Sequence, residues 1–442
     1  MGRGDGRGDD RSRPVRRVVV VGAGVVGLSV AWHLSRQGVD VVVLERDDVA
    51  AGSSWGNAGW LSPGLVAPLP DPAVRRYALR ALVDPSCAIS VPLTFDVRRW
   101  DFLADFARRC TAAAWHRALP GLVALGLEAL DAHDELGDAG IAARTVAAPI
   151  VTAFARGSDA GRLRHELELL ATAGQPLTWR ELDGDEARTL APQLSARIGA
   201  AIRVDGQRYV DPGAYVCALA DAVRAGGAEI RTGTDVAAVH PDGDGVRVTT
   251  SAGEPLSADA AVVATGAWLD RLLPPGATAV PVHAGRGYSF TVDTDPAPAC
   301  PVYLPHARVA CTPYAGAMRV GGGMELSAAD APGNPRRIRA VEADARPYLR
   351  GVDWASRRDD WVGARPVTAD GLPVVGRTGA PGIFVAGGHG MWGMTLGPVT
   401  GRLLAAAVAG GAVPAALAPL DPLRRLRPVR RGRRARPGAG LP

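Results

Sequence analysis

The chain contains no lysine, and all 50 of its basic residues are arginine. A lysine Schiff base, a pyridoxal phosphate attachment and the phosphate-binding lysine of a Walker motif are therefore excluded. Aromatic residues are also scarce, at 5% of the chain. The five cysteines have neither C-x-x-C nor zinc spacing, so we predict reduced thiols, a cytoplasmic protein and no metal site; they are Cys87, Cys110, Cys217, Cys300 and Cys311.

Signals for secretion and for a membrane span are missing as well. The N-terminal segment has no apolar core of the kind found in secretory signals, so we expect none. Residues 403–420 are uncharged, but Gly410, Gly411 and Pro414 interrupt them. This favours a buried helix followed by a loop over a membrane-spanning helix.

The formal net charge of +5 comes from the two ends of the chain. Residues 1–17 carry six arginines against three aspartates, and residues 424–436 carry eight arginines. We predict that residues 1–15 and the Arg-rich tail, residues 416–442, are disordered and solvated. No nucleic-acid partner is expected. Weak peripheral contact of the tail with anionic lipid, on the inner face of the cell membrane, is left open.

Residues 18–46 read as a strand, a glycine turn, a helix and a second strand. Gly22, Gly24 and Gly27 stand in G-x-G-x-x-G register, which allows a tight turn, close approach of a pyrophosphate and close helix packing. Phosphates would meet the free N–H groups at the start of the helix. Glu45 ends the second strand, where a carboxylate accepts ribose hydroxyls and repels a 2′-phosphate. The segment therefore predicts a site for FAD or NAD rather than NADP.

A second glycine turn lies far along the chain. Residues 387–390 follow a predicted strand and precede a helix that begins near Thr395. The positive end of such a helix suits the negative charge that develops on a reduced flavin. Between the two turns, residues 50–72 form a long loop. Helical patterns around residues 77–82, 100–115 and 122–136 then predict an inserted second domain.

Two C-terminal blocks carry a family resemblance. WVGARPVTADGLPVVG (361–376) and IFVAGGHGMWGMTLGPVTGRLLA (383–405) resemble the signature of the D-amino-acid oxidase superfamily of FAD-dependent flavoproteins. GNAGWLSPG (56–64) and GRGYSFTV (285–292) are similar to its D-amino-acid dehydrogenases of the small-subunit type. The resemblance implies an α/β fold with a Rossmann-like FAD-binding domain assembled from discontinuous segments, plus an α+β substrate domain with an antiparallel sheet. The boundaries we predict are 16–66, 205–280 and 356–415 for the FAD-binding domain, and 67–204 and 281–355 for the substrate domain.

The resemblance also implies an activity. Hydride passes from Cα of a D-amino acid to flavin N5, giving an imino acid and then a 2-oxo acid, and a quinone or protein takes the electrons. Related sarcosine oxidases activate oxygen with a lysine and bind FAD through a C-terminal-region cysteine. This chain has no lysine, and its last cysteine is Cys311. We therefore expect a dehydrogenase with noncovalent FAD, while an oxidase of glycine, sarcosine or another secondary amine, or a non-catalytic flavin-binding subunit, stays open.

The resemblance assigns roles to individual residues. Arg365 matches the position that holds the substrate carboxylate, for which a guanidinium offers two parallel hydrogen bonds. Tyr288 either donates to that carboxylate or packs on a sheet, and His389 lies beside the flavin. The remaining predicted cofactor contacts are Val25, Val26, Arg46, Ser53, Ser54, Asn57, Ala58, Gly59, Val236, Thr265, Gly266, Gly388, Gly390, Gly393, Met394 and Thr395.

Overall fold

The computed structural model describes residues 15–73, 89–92, 95–141 and 143–426. The helix predicted at residues 77–82 lies outside this part of the chain, as do residues 1–14 and 427–442 of the two charged ends. The strands in chain order are β1 Arg17–Val21, β2 Asp40–Leu44, β3 Trp60–Leu61, β4 Ile89–Ser90, β5 Val146–Ala147, β6 Ile150–Phe154, β7 Trp179–Asp183, β8 Ala200–Val204, β9 Arg208–Tyr209, β10 Glu229–Arg231, β11 Val236–Asp242, β12 Gly245–Thr250, β13 Pro255–Ala258, β14 Ala260–Val263, β15 Val282–Thr294, β16 Val302–Leu304, β17 Val309–Tyr314, β18 Ala317–Leu326, β19 Val352–Thr368, β20 Val374–Arg377 and β21 Ile383–Gly387.

The helices are amphipathic or buried segments between these strands. Across the described ranges, no helix combines the length and the apolar character that a bilayer crossing requires. The α-helices in chain order are α1 Val25–Arg36, α2 Val97–Arg109, α3 Ala112–Gly126, α4 Ala129–Asp138, α5 Gly161–Thr172, α6 Gly184–Leu190, α7 Pro212–Ala225, α8 Leu269–Leu272, α9 Pro335–Ala345 and α10 Gly393–Val408.

The first large sheet has the strand order β10-β2-β1-β14-β21-β20, with only β20 antiparallel to its neighbour. The strands β1 and β14 are Val- and Ala-rich and buried on both faces, as central parallel strands are. Helices α1 and α10 cover one face, and the antiparallel meander β11-β12-β13 covers the other. The sheet takes strands from three separated stretches of chain, which confirms the predicted discontinuous assembly.

The second large sheet runs β19-β15-β18-β17-β16-β6-β8-β7, with β4 beside β18, and is mostly antiparallel. Strand β19 pairs with β15 as far as Thr368, so residues 356–368 lie in this sheet, whereas the sequence prediction assigned them to the FAD-binding domain. The first turn that breaks the strand comes after Thr368, and the first sheet resumes only at Val374. Arg365 therefore stands on the substrate-domain sheet.

Two helix boundaries also differ from the sequence prediction. The pattern over residues 100–115 is divided at Thr111, whose hydroxyl accepts a hydrogen bond from Ala114 N at 3.2 Å and caps α3. The pattern over residues 122–136 is divided between α3 and α4 at residues 127–128. At Thr111, cap chemistry therefore overrides continuous apolar periodicity, whereas the break at residues 127–128 has no side-chain cap.

The beginning of the Arg-rich tail is ordered, in contrast to our prediction of disorder from residue 416. Leu417 and Leu420 are buried against the core. Arg424 forms a bidentate pair with Asp370, at 2.9 and 3.0 Å, and donates to the carbonyls of Leu372 and Pro373. Burial of two leucines and the pairing of Arg424 with Asp370 thus order residues 416–426. The composition of this segment did not predict that order.

Candidate cofactor and substrate site

The N-terminal glycine turn has the close contacts expected of a dinucleotide site. Gly22 has φ +109°, and a Cβ there would lie 2.7 Å from the carbonyl oxygen of Ala264. A Cβ at Gly27 would lie 2.0 Å from the carbonyl oxygen of Gly22, so α1 packs directly on the turn. Helix α1 has no acidic residue in its first turn, and Ser54 Oγ accepts from Val25 N at 3.2 Å. Because no carboxylate lies in that first turn, the helix keeps its positive end available for an anion, although Ser54 already binds the N–H group of Val25.

Glu45 is held at the carboxyl end of β2 by backbone groups. Its Oε2 accepts from Ala23 N at 2.8 Å, and its Oε1 accepts from Asp47 N at 3.1 Å. Each oxygen retains a second lone pair. The carboxylate is thus fixed beside the glycine turn and can still accept the hydroxyls of a ribose.

A second helix N-terminus, from the C-terminal part of the chain, lies in the same cavity wall as the first glycine turn. Helix α10 has no side-chain cap and no acidic residue in its first turn. It packs on α1 at Gly397, where a Cβ would lie 3.2 Å from Val25 Cγ1. Gly390 N donates to Pro366 O at 2.7 Å, which ties the C-terminal glycine turn to the strand that carries Arg365. Two positive helix ends and an arginine strand therefore converge.

These elements enclose a cavity of about 440 Å³, a size typical of ligand sites. Backbone N–H groups, glycines and one fixed carboxylate form the donor and acceptor set that a pyrophosphate and a ribose require, so the residues fit a dinucleotide. The predicted residues that line the cavity are Gly22, Gly24, Val25, Val26, Glu45, Arg46, Ser53, Ser54, Asn57, Val236, Thr265, Gly266, Arg365, His389, Gly390, Gly393 and Met394.

Several lining residues were missed by the sequence argument. Trp268 follows Thr265 and Gly266 closely and could have been found by extending that motif. Its indole Nε1 donates to Asp330, a residue of the substrate domain, at 2.5 Å. Arg271 also contacts Asp330, but no pattern in the sequence singles it out. Asp330 thus links the two domains at the rim of the cavity.

Six predicted residues are absent from the cavity wall, and five of them support it from behind. Gly27 and Gly388 allow close packing, since a Cβ at Gly388 would lie 2.8 Å from Thr368 Cγ2. The hydroxyl of Thr395 donates to Trp60 O at 3.0 Å and therefore holds β3. The other three are Ala58, Gly59 and Tyr288.

The loop over residues 53–59 is fastened by its own asparagine. Asn57 Nδ2 donates to the carbonyls of Ser53 and Ser54, and Asn57 Oδ1 accepts from Gly59 N at 2.7 Å. The carbonyl of Ala58 is bound by a threonine hydroxyl of the second sheet at 2.8 Å. Ala58 and Gly59 therefore shape the loop, while Asn57 and the two serines reach the cavity.

Arg365 is the charged group of the cavity that lacks an acidic partner. Its guanidinium lies flat on Gly287, where a Cβ would be 2.1 to 2.4 Å from Nη2, Cζ and Nη1. Its Nη1 donates to Gly323 O at 2.9 Å. Burial lowers the pKa of Arg365 to about 10, so it is a cation at neutral pH. No carboxylate within the described ranges pairs with it, whereas Arg46 and Arg271 in the same wall have aspartate partners.

Gly287→Ala should displace this guanidinium. We expect ligands that carry a carboxylate to bind roughly tenfold more weakly or worse, because a small misplacement of a binding group is costly. Titration of the FAD-loaded protein with benzoate, followed by flavin absorbance, measures this. Gly321→Ala is the matched control on the same sheet face, since a Cβ there makes only an ordinary contact of 3.4 Å. Equal benzoate affinity in both variants would contradict the prediction.

Tyr288 does not reach Arg365. Side chains alternate along β15, and the pairing of Gly287 with Gly363 places Gly287 on the same face as Arg365. Tyr288 therefore points to the opposite face, where it is 1% exposed and packs in a core with Phe290. The structure contradicts the predicted contact between Tyr288 and a carboxylate on Arg365, and it supports the alternative of packing on the sheet.

His389 lies in the cavity wall and is hydrogen-bonded to a threonine of α10. Its Nε2 is 3.0 Å from the Oγ1 of Thr400 in α10. Burial lowers the pKa of His389 to about 4, so the ring is neutral near pH 7. His389 is therefore a neutral hydrogen-bonding group here and not a charged acid.

Comparisons with known proteins also point to a flavin-dependent enzyme. The family model DAO, described as FAD dependent oxidoreductase, matches residues 17–407. A protein named D-amino acid dehydrogenase from Cereibacter sphaeroides is 31% identical over 396 residues, covering 88% of this chain and 90% of that protein. Among solved structures, glycine oxidase from Geobacillus kaustophilus has a TM-score of 0.73 at 23% identity and covers 93% of this chain and 99% of its own. Iminodiacetate oxidase from Chelativorans sp. BNC1 has a TM-score of 0.67 at 22% identity, with coverages of 92% and 99%.

Proposed function

This chain belongs to the DAO family of FAD-dependent oxidoreductases, and we propose that within this family it is a D-amino-acid dehydrogenase. In this proposal it oxidises a D-amino acid to an imino acid, which water hydrolyses to a 2-oxo acid. The electrons pass to a quinone or to a protein acceptor.

The unpaired Arg365 is the observation that carries the proposal. A partly buried guanidinium with no acidic partner in the described chain favours an anion from outside. Its contacts with Gly287 and Gly323 leave Nη2 and Nε available. These two nitrogens form the side-on edge of the guanidinium, which can donate two parallel hydrogen bonds to one carboxylate. An amino acid held there would be fixed in orientation beside the two helix N-termini.

The residues that would hold FAD divide the cavity into two ends. The α1 N-terminus and Glu45 suit its pyrophosphate and ribose, with Val236 further along the same wall. The α10 N-terminus, near Gly393, suits the flavin ring. FAD, when bound, would supply the two-electron acceptor for the hydride removed from the substrate. The protein itself binds and orients the substrate and excludes water from the cavity, and His389 contributes the dipole of a neutral imidazole.

Cysteine positions favour noncovalent FAD. Cys110, Cys217, Cys300 and Cys311 are the cysteines of the described residues, and none of them lines the cavity. Burial raises the pKa of Cys311 to about 12, so its thiolate is not available. The absence of lysine from the whole chain disfavours a lysine-assisted reaction with oxygen. The absence of lysine favours the dehydrogenase over the oxidase alternative, whereas the cysteine positions bear only on how FAD is attached.

An anaerobic flavin-reduction screen tests the proposal. We expect D-alanine or D-proline to bleach the flavin absorbance and the matching L-enantiomers to leave it unchanged. Reoxidation by a soluble quinone should then be much faster than reoxidation by air. An unchanged spectrum across a panel of D-amino acids would contradict the substrate class. Rapid peroxide formation with glycine, sarcosine or other N-methyl amino acids would instead support the oxidase alternative.

A further inference from the structure

We propose that Glu325 and Arg286, a buried ion pair on the sheet face opposite the substrate site, are positioning residues for Arg365. They act through the carbonyl group of Gly323. The inference rests on the proposed function of Arg365 as the carboxylate-binding residue.

A β-bulge in strand β18 presents the carbonyl group that Arg365 contacts. Arg286 pairs with Glu325, but Tyr288 pairs with Gly322, so two residues of β18 oppose the single residue Gly287. One of these two is Gly323, whose φ of +68° is the left-handed conformation that glycine adopts in such bulges. The carbonyl group of this bulge residue accepts the hydrogen bond from Arg365 at 2.9 Å.

The ion pair fixes the first regular residue pair beside the bulge. Arg286 Nη1 lies 3.1 Å from Glu325 Oε1, and the two side chains are 2% and 7% exposed. Ser327 Oγ donates to the same Oε1 at 2.8 Å. Because loss of either partner leaves an uncompensated buried charge, the pair strongly favours this one pairing of β15 with β18.

The two sides of the sheet are thereby coupled. Arg286 and Glu325 face the core beneath α9, while Gly287 and Arg365 face the cavity. The guanidinium has two fixed contacts, the surface of Gly287 and the carbonyl of Gly323. A shift of the bulge moves both contacts relative to each other, so the free edge of Arg365 turns away from the ligand.

Glu325→Gln in the FAD-loaded protein tests the inference. The substitution keeps the shape and a hydrogen-bonding oxygen but removes the charge. We expect benzoate, a carboxylate without an amine, to bind roughly 5- to 20-fold more weakly. The KM for D-alanine should rise similarly, with the limiting rate of flavin reduction and the FAD content near those of the parent protein. Benzoate affinity equal to that of the parent would overturn the inference.

Controls separate positioning from general stability. Asp293 lies on the same strand β15 as Arg286, and its Oδ1 accepts a hydrogen bond from Arg358 Nη2 at 2.8 Å. Asp293→Asn removes the charge of this ion pair and should leave benzoate binding unchanged. A double-mutant cycle with Arg365→Lys should show a smaller effect of Glu325→Gln, because the effect passes through Arg365. An undiminished effect in that background would count against the inference. If Glu325→Gln does not fold, Ser327→Ala should give a smaller loss of the same kind, and no loss would overturn the inference.

Failure of the proposed function is recognisable separately. If Arg365→Ala leaves the dissociation constant of benzoate unchanged, Arg365 is not the carboxylate-binding residue, and both proposals fail. If Arg365→Ala weakens benzoate binding while Glu325→Gln and Ser327→Ala do not, only the positioning role is excluded.

Discussion

Arg365→Ala should lower kcat/KM for a D-amino acid by roughly 30- to 4,000-fold, because truncating one partner of a desolvated charge pair costs about 2–5 kcal/mol. The FAD content should not change, since Arg365 hydrogen-bonds to Gly323 and not to the glycine turn. Stopped-flow reduction with D-alanine, with the bound flavin quantified in parallel, provides both numbers. Arg365→Lys should recover only part of the loss, because an ammonium lacks the planar pair of donors. Unchanged kcat/KM in the alanine variant would show that Arg365 does not bind the substrate carboxylate. A parent protein whose flavin no amino acid reduces would instead support a non-catalytic flavin-binding subunit.

The same residue predicts a pH dependence. Burial lowers the pKa of Arg365 to about 10, so the cation that binds a carboxylate is lost as the pH rises through 10. Benzoate affinity should therefore be constant between about pH 7 and 9 and fall above that range. The pKa of His389 is lowered to about 4, so this residue is neutral over the whole interval and adds no further step. A decrease in affinity centred near pH 7 would contradict this assignment.

Gly27→Ala should abolish retention of FAD and strongly destabilise the fold. The new Cβ would lie 2.0 Å from the backbone oxygen of Gly22, and a backbone atom cannot move aside as the end of a side chain can. Helix α1 would be pushed from the turn that we propose binds the pyrophosphate. Melting temperature with and without added FAD, together with flavin content, measures the effect.

Gly137→Ala is the matched control for this prediction. Gly137 also lies in a helix, α4, but a Cβ there meets nothing within 4 Å. Alanine favours a helix over glycine by about 1 kcal/mol, so this variant should keep its FAD and be slightly more stable. Comparable flavin content in the Gly27 and Gly137 variants would show that close packing of α1 on the turn is not required.

The cofactor end of the site was predictable because its signals are local. Gly22, Gly24, Gly27 and Glu45 belong to one strand–turn–helix–strand unit, whose geometry depends on neighbours within about 20 residues. Arg365 could be predicted only from its position in a sequence motif. That its guanidinium lies on Gly287 and lacks an acidic partner follows from tertiary structure.

The errors have physical causes of a different kind. The position of Tyr288 depends on which face of a sheet it occupies, and a single-residue change of register reverses that face. Thr395 binds Trp60, and Trp268 binds Asp330, so the partners in each pair are far apart in sequence. The predicted boundary at residue 356 does not coincide with a change of sheet, because β19 continues in the antiparallel sheet up to Thr368. None of these features can be deduced from periodicity.

The strand order has a consequence for biosynthesis. Strand β21 pairs with β14, and α10 packs on α1, yet β21 and α10 are synthesised long after β14 and α1. Until then the edge of β14 and the part of α1 that α10 covers lack these partners, and exposed edges and apolar faces of nascent chains are prone to aggregate. We therefore expect cofactor capture only after β21 and α10 have been synthesised. A nonsense mutation shortly before residue 383 would leave the glycine turn intact and yet yield a chain that depends on chaperones and binds no flavin.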